Sequence, residues 1–333
     1  MILAGDIGGT HSRLAFFEGD PAHVEARFIE VYENHEHAGL AEIVKAFLDA
    51  HRVRVECACF GVPGPVRDGR VETPNLRWVL DARQLSTELG FRAVKLVNDL
   101  EANAWGIAAL KPADFIVLQK GSPAACGNLA LISAGTGLGE AGLVAEVSGY
   151  RPFPSEGGHA DFGPNRDLEI ELLRHLAGRF GHVSAERLVS GPGLHNIYEF
   201  LRDTGRGSEP EGLAAEIARG DAGAVISKRA LAGTPEICVK ALDIFVSIYG
   251  AEAGNLALKV MASGGVFIGG GIAPKIVPKL KEGLFLKAFR AKGRMAKVME
   301  DIPVRVITND KTALLGAGRV ALASRESAGV SGR

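Results

Sequence analysis

The stretch Leu3–Phe17, LAGDIGGTHSRLAFF, restricts the fold more than any other part of the chain. A short apolar run, Ile2 to Ala4, leads into a carboxylate, two glycines and a threonine, and a second apolar run, Leu14 to Phe17, follows. That order predicts strand, tight turn, strand. Glycines let backbone N–H groups approach an anion closely. The Thr10 hydroxyl adds a donor, and Asp6 can hold a hydrated Mg²⁺, so a nucleotide phosphate would fit. The plainer alternative is a glycine-rich hairpin with an incidental acid. A second stretch, Ser133 onward (SAGTGLGEAGLVAEV), echoes the first: strand, glycine turn with threonine, strand. Two related halves, each offering one phosphate-binding hairpin, would form a cleft, and the spacing is not that of a short solenoid repeat.

The rest of the chain alternates strand-like and helical runs, which predicts an α/β fold. Helices are expected over 38–50, 100–110, 167–180 (with Asp167 as cap), 194–201, 236–261 and 311–323. Strands are expected over 53–62, 93–97, 115–118, 129–133 and 304–307. The polar tail SRESAGVSGR reads as frayed. A chain of 333 residues is long enough for two domains. With 47% hydrophobic and 23% charged residues and a formal net charge of −1, it has the composition of a globular protein. That charge gives no reason to expect nucleic acid or a membrane surface as partner. No signal peptide or bilayer-length apolar run is evident. Four cysteines, Cys57, Cys59, Cys126 and Cys238, form no C-x-x-C pair or zinc spacing. The expectation is a reducing, cytoplasmic setting.

Several segments carry chemistry. Gly137 to Gly142 match G-x-G-x-x-G, but the apolar, β-branched GLVAEV that follows reads as a strand, where a dinucleotide site needs a helix. No Gly-Lys pair exists, which excludes a P-loop. In LVNDLEANAWG, Asp99 falls between strand and helix, where α/β sheets bind ligands. There it can take the proton of an attacking hydroxyl, and Asn98 can bond a polyol; alternatively one of the two simply caps the helix. In PSEGGHADF, Glu156 and His159 flank a Gly-Gly turn and suit vicinal sugar hydroxyls, or form an exposed polar loop. Glu186, in SAERLVSGPG, reads on its own as a solvated glutamate. A third glycine segment, SGGVFIGGGIAPK, predicts strand, turn and helix, with backbone close enough for an adenine or ribose, or merely tight packing.

In order, GDIGGT, GVPGPV, TPNL, LVNDLEA, AGTGLGEA, SEGGHADF, ERLVSGPG and SGGVFIGGGI resemble the bacterial ATP-dependent glucokinases of the actin–hexokinase superfamily, from about Ile2 to Ala323. The resemblance implies two ribonuclease-H-like α/β domains that close over ATP and glucose: 1–110 plus about 310–333 as the small one, 111–309 as the large one. It implies that Gly5, Asp6, Ile7, Gly8, Gly9 and Thr10 line the phosphates, with Asp6 helping to hold Mg²⁺, mostly through water. Gly135, Thr136 and Gly137 would form the second phosphate turn, and Gly264 and Gly265 would approach the adenosine. Asp99 would be the general base toward the sugar 6-hydroxyl. Asn98, Glu156, His159 and Glu186 would hold the other hydroxyls, with Asn75 closing on the sugar. A homodimer is implied as well.

Two positions depart from the family pattern: His11 stands where Asn is expected, beside the phosphate turn, and Arg77 stands where Pro is usual, beside the sugar loop. Competing readings are a kinase of the repressor/ORF/kinase family acting on another hexose or an N-acetylhexosamine, a sugar sensor without catalysis, and an ATPase of actin or chaperone type. The first usually carries a cysteine-rich zinc site and the second a helix-turn-helix domain, neither of which is present in this sequence. The third leaves the polyol set unexplained.

Overall fold

The structure, a computed structural model, describes residues 1–21, 23–73, 76, 78–147 and 149–330, with backbone alone at position 23 and positions 326–330. The chain divides into two compact units: residues 1–112, 151–154 and 309–333, and residues 113–150 and 155–308.

Unit 1 is built on a sheet of β1 (Ile2–Ile7), β2 (His11–Asp20), β3 (His23–Glu33), β4 (Cys57–Val62) and β7 (Ala93–Asn98), in the order β3-β2-β1-β4-β7. A small ribbon of β5 (Arg70–Glu72) and β6 (Val79–Asp81) lies apart from it. β1 runs antiparallel to β2 and parallel to β4, and β4 is parallel to β7. The near-continuous apolar character of β1 follows from cover on both faces. Leu3, Ile7, Leu14, Phe16 and Phe60 join one core with α1 (Leu40–His51), whose Leu40, Ile43, Val44 and Phe47 form a single buried stripe. Ile2, Ala4, Ala15, Phe17, Cys57 and Cys59 join another with the C-terminal helix Thr312–Val330. α2 (Ala82–Leu89) and α3 (Asp99–Gly106) complete the unit.

The C-terminal helix and α3 touch backbone to backbone. A side chain at Gly316 would place its Cβ 1.8 Å from the Ala102 carbonyl oxygen, and one at Gly106 would place it 2.0 Å from that of Thr312. The helix runs to Val330, well past the expected end at Ala323, so the backbone of the expected frayed tail is helical that far.

The second sheet, most of which belongs to unit 2, has the order β11-β10-β9-β12-β13-β8, from β8 (Phe115–Gln119), β9 (Leu129–Ala134), β10 (Leu138–Glu146), β11 (Gly149–Ser155), β12 (Gly265–Gly269) and β13 (Val304–Ile307). β9 and β10 form an antiparallel hairpin, and β12 is parallel to both β9 and β13. The two hairpins thus share a plan, closing after Ile7↔Ser12 in one unit and Ala134↔Leu138 in the other, each beside parallel strands. One face of β9, through Ala130, Ile132 and Ala134, belongs to the same core as α8 (Glu236–Lys259), which contributes Ala241, Leu242, Phe245, Val246 and Tyr249.

Two local expectations are corrected. Asp167 does not cap its helix; Arg166 holds that position without a side-chain bond, and Glu169 reaches back to accept the Asn165 N–H at 2.8 Å. The strand expected from Val53 starts only at Cys57.

Candidate active site

One set of candidate residues lies in unit 1, at the carboxyl ends of β1, β4 and β7. Asp6 pairs with Gly61 across β1 and β4, and Val62 pairs with Asn98 across β4 and β7. Gly61 is the spacer: a Cβ there would meet the Ala102 Cβ at 2.9 Å and the Asp99 Cα at 3.9 Å. Lacking one, the start of α3 settles onto β4, which brings Asp99 close enough to Asp6 for their charges to interact. Burial pushes Asp6 up to about 6, and the charges of Asp99 and Asp310 push the same way against the opposing guanidinium of Arg13. Arg13 is the cross-strand partner of Asp6 and donates to the Asp310 carbonyl at 2.7 Å and to its carboxylate at 3.1 Å. Neither Arg13 nor Asp310 carries a local sequence signal; strand register and the chain's return before the C-terminal helix assemble them.

The turn Gly8-Gly9-Thr10 is held from below by Asn34, another residue the sequence reading missed. Its Nδ2 donates to Gly8 O at 2.9 Å, its N–H to Thr10 O at 2.8 Å, and its Oδ1 accepts from the buried Ser12 hydroxyl at 2.6 Å. Gly9 and Thr10 are exposed. Gly5 is not part of the open turn. It is a buried strand residue whose Cβ would fall 2.6 Å from Phe60 and 2.7 Å from Leu14, so its glycine is required for packing. Ile7 likewise turns its side chain into the core.

Asn98 and Asp99 carry the capping geometry that stood as the plainer alternative. Asn98 Oδ1 accepts from Leu100 N at 2.9 Å while its Nδ2 donates to Gly64 O at 3.1 Å. Asp99 opens α3, and its Oδ1 accepts from Leu100 N at 2.8 Å. Capping does not exclude a ligand role, because it fixes both side chains at the mouth of the sheet, and a helix N-terminus favours a carboxylate as the anion.

A second set lies in unit 2. Gly135-Thr136-Gly137 closes β9 onto β10, with Gly135 N donating to Gly137 O at 2.9 Å and Gly191 N to Gly135 O at 2.8 Å. Glu186 touches this turn directly: its Oε2 accepts from Leu138 N at 2.9 Å, and a Cβ on Gly137 would come within 2.5 Å of that oxygen. Its other oxygen stands 3.9 Å from His159 Nδ1, and His159 Nε2 stands 3.9 Å from Glu156 Oε2. Glu156, His159 and Glu186 therefore form one cluster, with imidazole between two carboxylates. Glu156 and His159 are well exposed at 68% and 62%, whereas Glu186 is at 28%. The glutamate with the weakest sequence signal links the polyol set to the glycine turn.

Gly264 and Gly265 lie away from the Gly135 turn. Gly265 pairs with Leu129 and Gly269 with Ser133, so Gly265 opens β12 just after Gly264, roughly 13 Å along the strand from the end beside the Gly135 turn. The glycines at that end are Gly269, Gly270 and Gly271: a Cβ on Gly270 would sit 2.2 Å from Ala134 O, to which Ile272 N also donates at 3.3 Å. Gly264 instead packs on Gly127 O, 2.5 Å from where its Cβ would be. Asn75 and Arg77 lie outside the described residues.

The donor set suits a hydrated divalent cation. The charges of Asp99 and Asp310 raise the cost of ionising Asp6, a situation a cation relieves. No group of three metal-ligating side chains converges among the described residues, so the ligands besides Asp6 would be water and phosphate oxygens.

Paired ribonuclease-H-like sheets, each with a glycine hairpin, are the architecture of the sugar-kinase class of the actin–hexokinase fold; one unit carries an acid pair and the other a carboxylate–imidazole cluster. A family model described as "Glucokinase" matches residues 3–324. A glucokinase from Nostoc sp. is 39% identical over 333 residues, covering 95% of this chain and 97% of that protein. One from Yersinia enterocolitica is 37% identical over 316 residues, covering 95% and 94%. Among solved structures, a glucokinase from an Antarctic psychrotroph superposes with a TM-score of 0.83 at 30% identity, covering 96% of this chain and 98% of that one. The chain belongs to the glucokinase family.

Proposed function

We propose that the protein phosphorylates D-glucose at the 6-hydroxyl with ATP as donor, and that Asp99 is the general base. The observation that carries the reading is the approach of Asp99 to Asp6 across the bare Gly61 backbone, which sets a proton acceptor beside the residue suited to a phosphate-bound cation. Family membership and the Glu156–His159–Glu186 cluster support glucose as the acceptor.

In this reading Gly8, Gly9 and Thr10 offer N–H groups and a hydroxyl to the phosphates, and Asn34 holds their turn in shape. Gly135, Thr136 and Gly137 offer the second turn, and Gly269 to Gly271 take the adenosine side in place of Gly264 and Gly265. Asp6 would hold Mg²⁺ through water, and the ion would supply neutralisation of phosphate charge. Asn98 offers the sugar its remaining amide hydrogen, Glu156 and Glu186 accept from hydroxyls, and His159 donates or accepts according to its tautomer. Asp99 takes the 6-hydroxyl proton as the oxygen attacks, a contribution of about 10²–10⁴ in rate. Phosphoryl transfer depends on placing these groups more than on covalent help.

The test is a coupled assay with Mg-ATP against a panel of hexoses and N-acetylhexosamines. The reading predicts glucose 6-phosphate as the main product; preference for another hexose, or binding of sugar without any transfer, overturns it.

A further inference from the structure

Beneath the Glu156–His159 turn, unit 2 buries two carboxyls that the reaction above does not use. Glu140 lies on β10, 1% exposed and opposite Ile132 in register. Glu252 of α8 is 6% exposed, and its carboxyl lies near enough to raise the cost of charging Glu140. Glu140 Oε1 is buried without a hydrogen-bond partner. Carboxylates have only acceptors, so a bond between the two carboxyls needs a proton on one of them.

Glu140 is also the floor of the sugar turn. A Cβ on Gly157 would lie 2.1 Å from Glu140 Oε2, and one on Gly158 would lie 2.0 Å from Leu138 O, so the turn rests directly on β10. Gly157 N is tied to Ser155 Oγ at 2.9 Å. On the helix side Glu252 is fixed: Asn255 Nδ2 donates to it at 3.0 Å and Lys259 stands 3.7 Å away. Lys292 is occupied by Ala251 O at 2.8 Å and Asn255 Oδ1 at 2.6 Å, so it does not neutralise Glu140 directly.

We propose that the Glu140–Glu252 pair is a positioning device for the sugar: one shared proton holds the two carboxyls together, and that seat fixes the turn from which Glu156 and His159 reach the substrate. The proposal rests on the reading of glucose as substrate. Loss of the proton sets two buried anions against each other. Glu252 is anchored, so the strain falls on the Gly157 backbone, and glucose affinity drops while the Asp6–Asp99 half, in the other unit, is untouched. Burial first, and then the charge of Glu252 against the weaker pull of Lys259, raise Glu140 to about 7, within reach of ordinary pH. The titratable groups around the pair are Tyr249, Glu252 and Lys259 of α8, Lys292, and Glu156 and His159 on the turn.

The test is glucose KM and kcat against pH for wild type, Glu140→Gln and Glu252→Gln. Wild-type KM should rise about tenfold from about pH 7 to about pH 8.5, with kcat nearly constant. Glu140→Gln, which keeps the shape and a neutral donor, should show a neutral-pH KM close to wild type and a flat alkaline limb. A dependence arising in Glu156 or His159 persists in this variant, so the difference between the two profiles is the readout. A merely structural role would lower thermal stability and change kinetics at every pH without flattening the profile, and that result overturns the proposal. So does an unchanged alkaline limb in Glu140→Gln. Should that variant not fold, Glu252→Gln and calorimetric titration of wild type with glucose alone decide: pH-independent affinity overturns the proposal. A cooperatively folded protein that binds glucose at no pH overturns the substrate assignment and this proposal with it.

Discussion

His11 follows the Gly8-Gly9-Thr10 turn, and its contacts define what it can do there. Its Nε2 lies 2.7 Å from Glu33 Oε1, its register partner on β3, with both side chains about half exposed. The imidazole is tethered along the sheet, and an exposed pair of this kind contributes about 0–1 kcal/mol. His11→Asn should therefore leave the KM for ATP within about threefold of wild type; a change of about tenfold or more in steady-state kinetics would show that His11 acts on the phosphates. Glu140 gives a stability prediction with a definite sign. Its folded-state pKa is raised from the ordinary carboxyl range to about 7, so its contribution to stability is full at low pH and is lost as pH climbs through about 7. Glutamine cannot lose that proton. The melting temperature of Glu140→Gln relative to wild type should thus rise from about pH 5 to about pH 8, and a difference constant across that range in thermal melts contradicts the account.

At the scale of elements, the decisive contacts are those where backbone meets backbone. The Gly316 face of the C-terminal helix lies against Ala102 O of α3, the helix that carries Asp99 at its start. Gly316→Val must push the two helices apart, which should destabilise unit 1 by about 1–3 kcal/mol or more and lower kcat through Asp99. Calorimetry together with the coupled assay checks this, and wild-type values for both would refute it. The same scale explains what the sequence made legible. Both glycine hairpins were readable because an apolar run, a glycine pair and another apolar run leave few alternatives. The failure of G-x-G-x-x-G as a dinucleotide site was readable because GLVAEV prefers a strand, and β10 is one. In the third glycine segment glycines flank β12 at both ends, and only the parallel register with β9 tells which end meets the Gly135 turn. The end of the C-terminal helix was missed because its last residues are polar and resemble a frayed tail.

At the scale of the molecule, candidate residues occur in each unit, and their legibility differs. Asn98, Asp99, Glu156 and His159 stand next to turn signals and could be picked out from local pattern. Arg13, Asn34, Gly61 and Asp310 could not, because each acquires its role from a strand or loop distant in the chain. Asp310 reaches Arg13 across 297 positions because unit 1 is assembled from both ends of the chain. Family order suggested roles that pattern alone left open, and the structure supplied the partners that hold those side chains. The central claim is that Asp99 removes the 6-hydroxyl proton of glucose. Its most direct test is Asp99→Asn, with glucose affinity measured by calorimetry and kcat by the coupled assay on the same preparation. The account predicts glucose binding within about tenfold of wild type and a kcat lower by about 10²–10⁴. A variant that binds glucose normally and retains kcat within about threefold of wild type would show that another group accepts the proton.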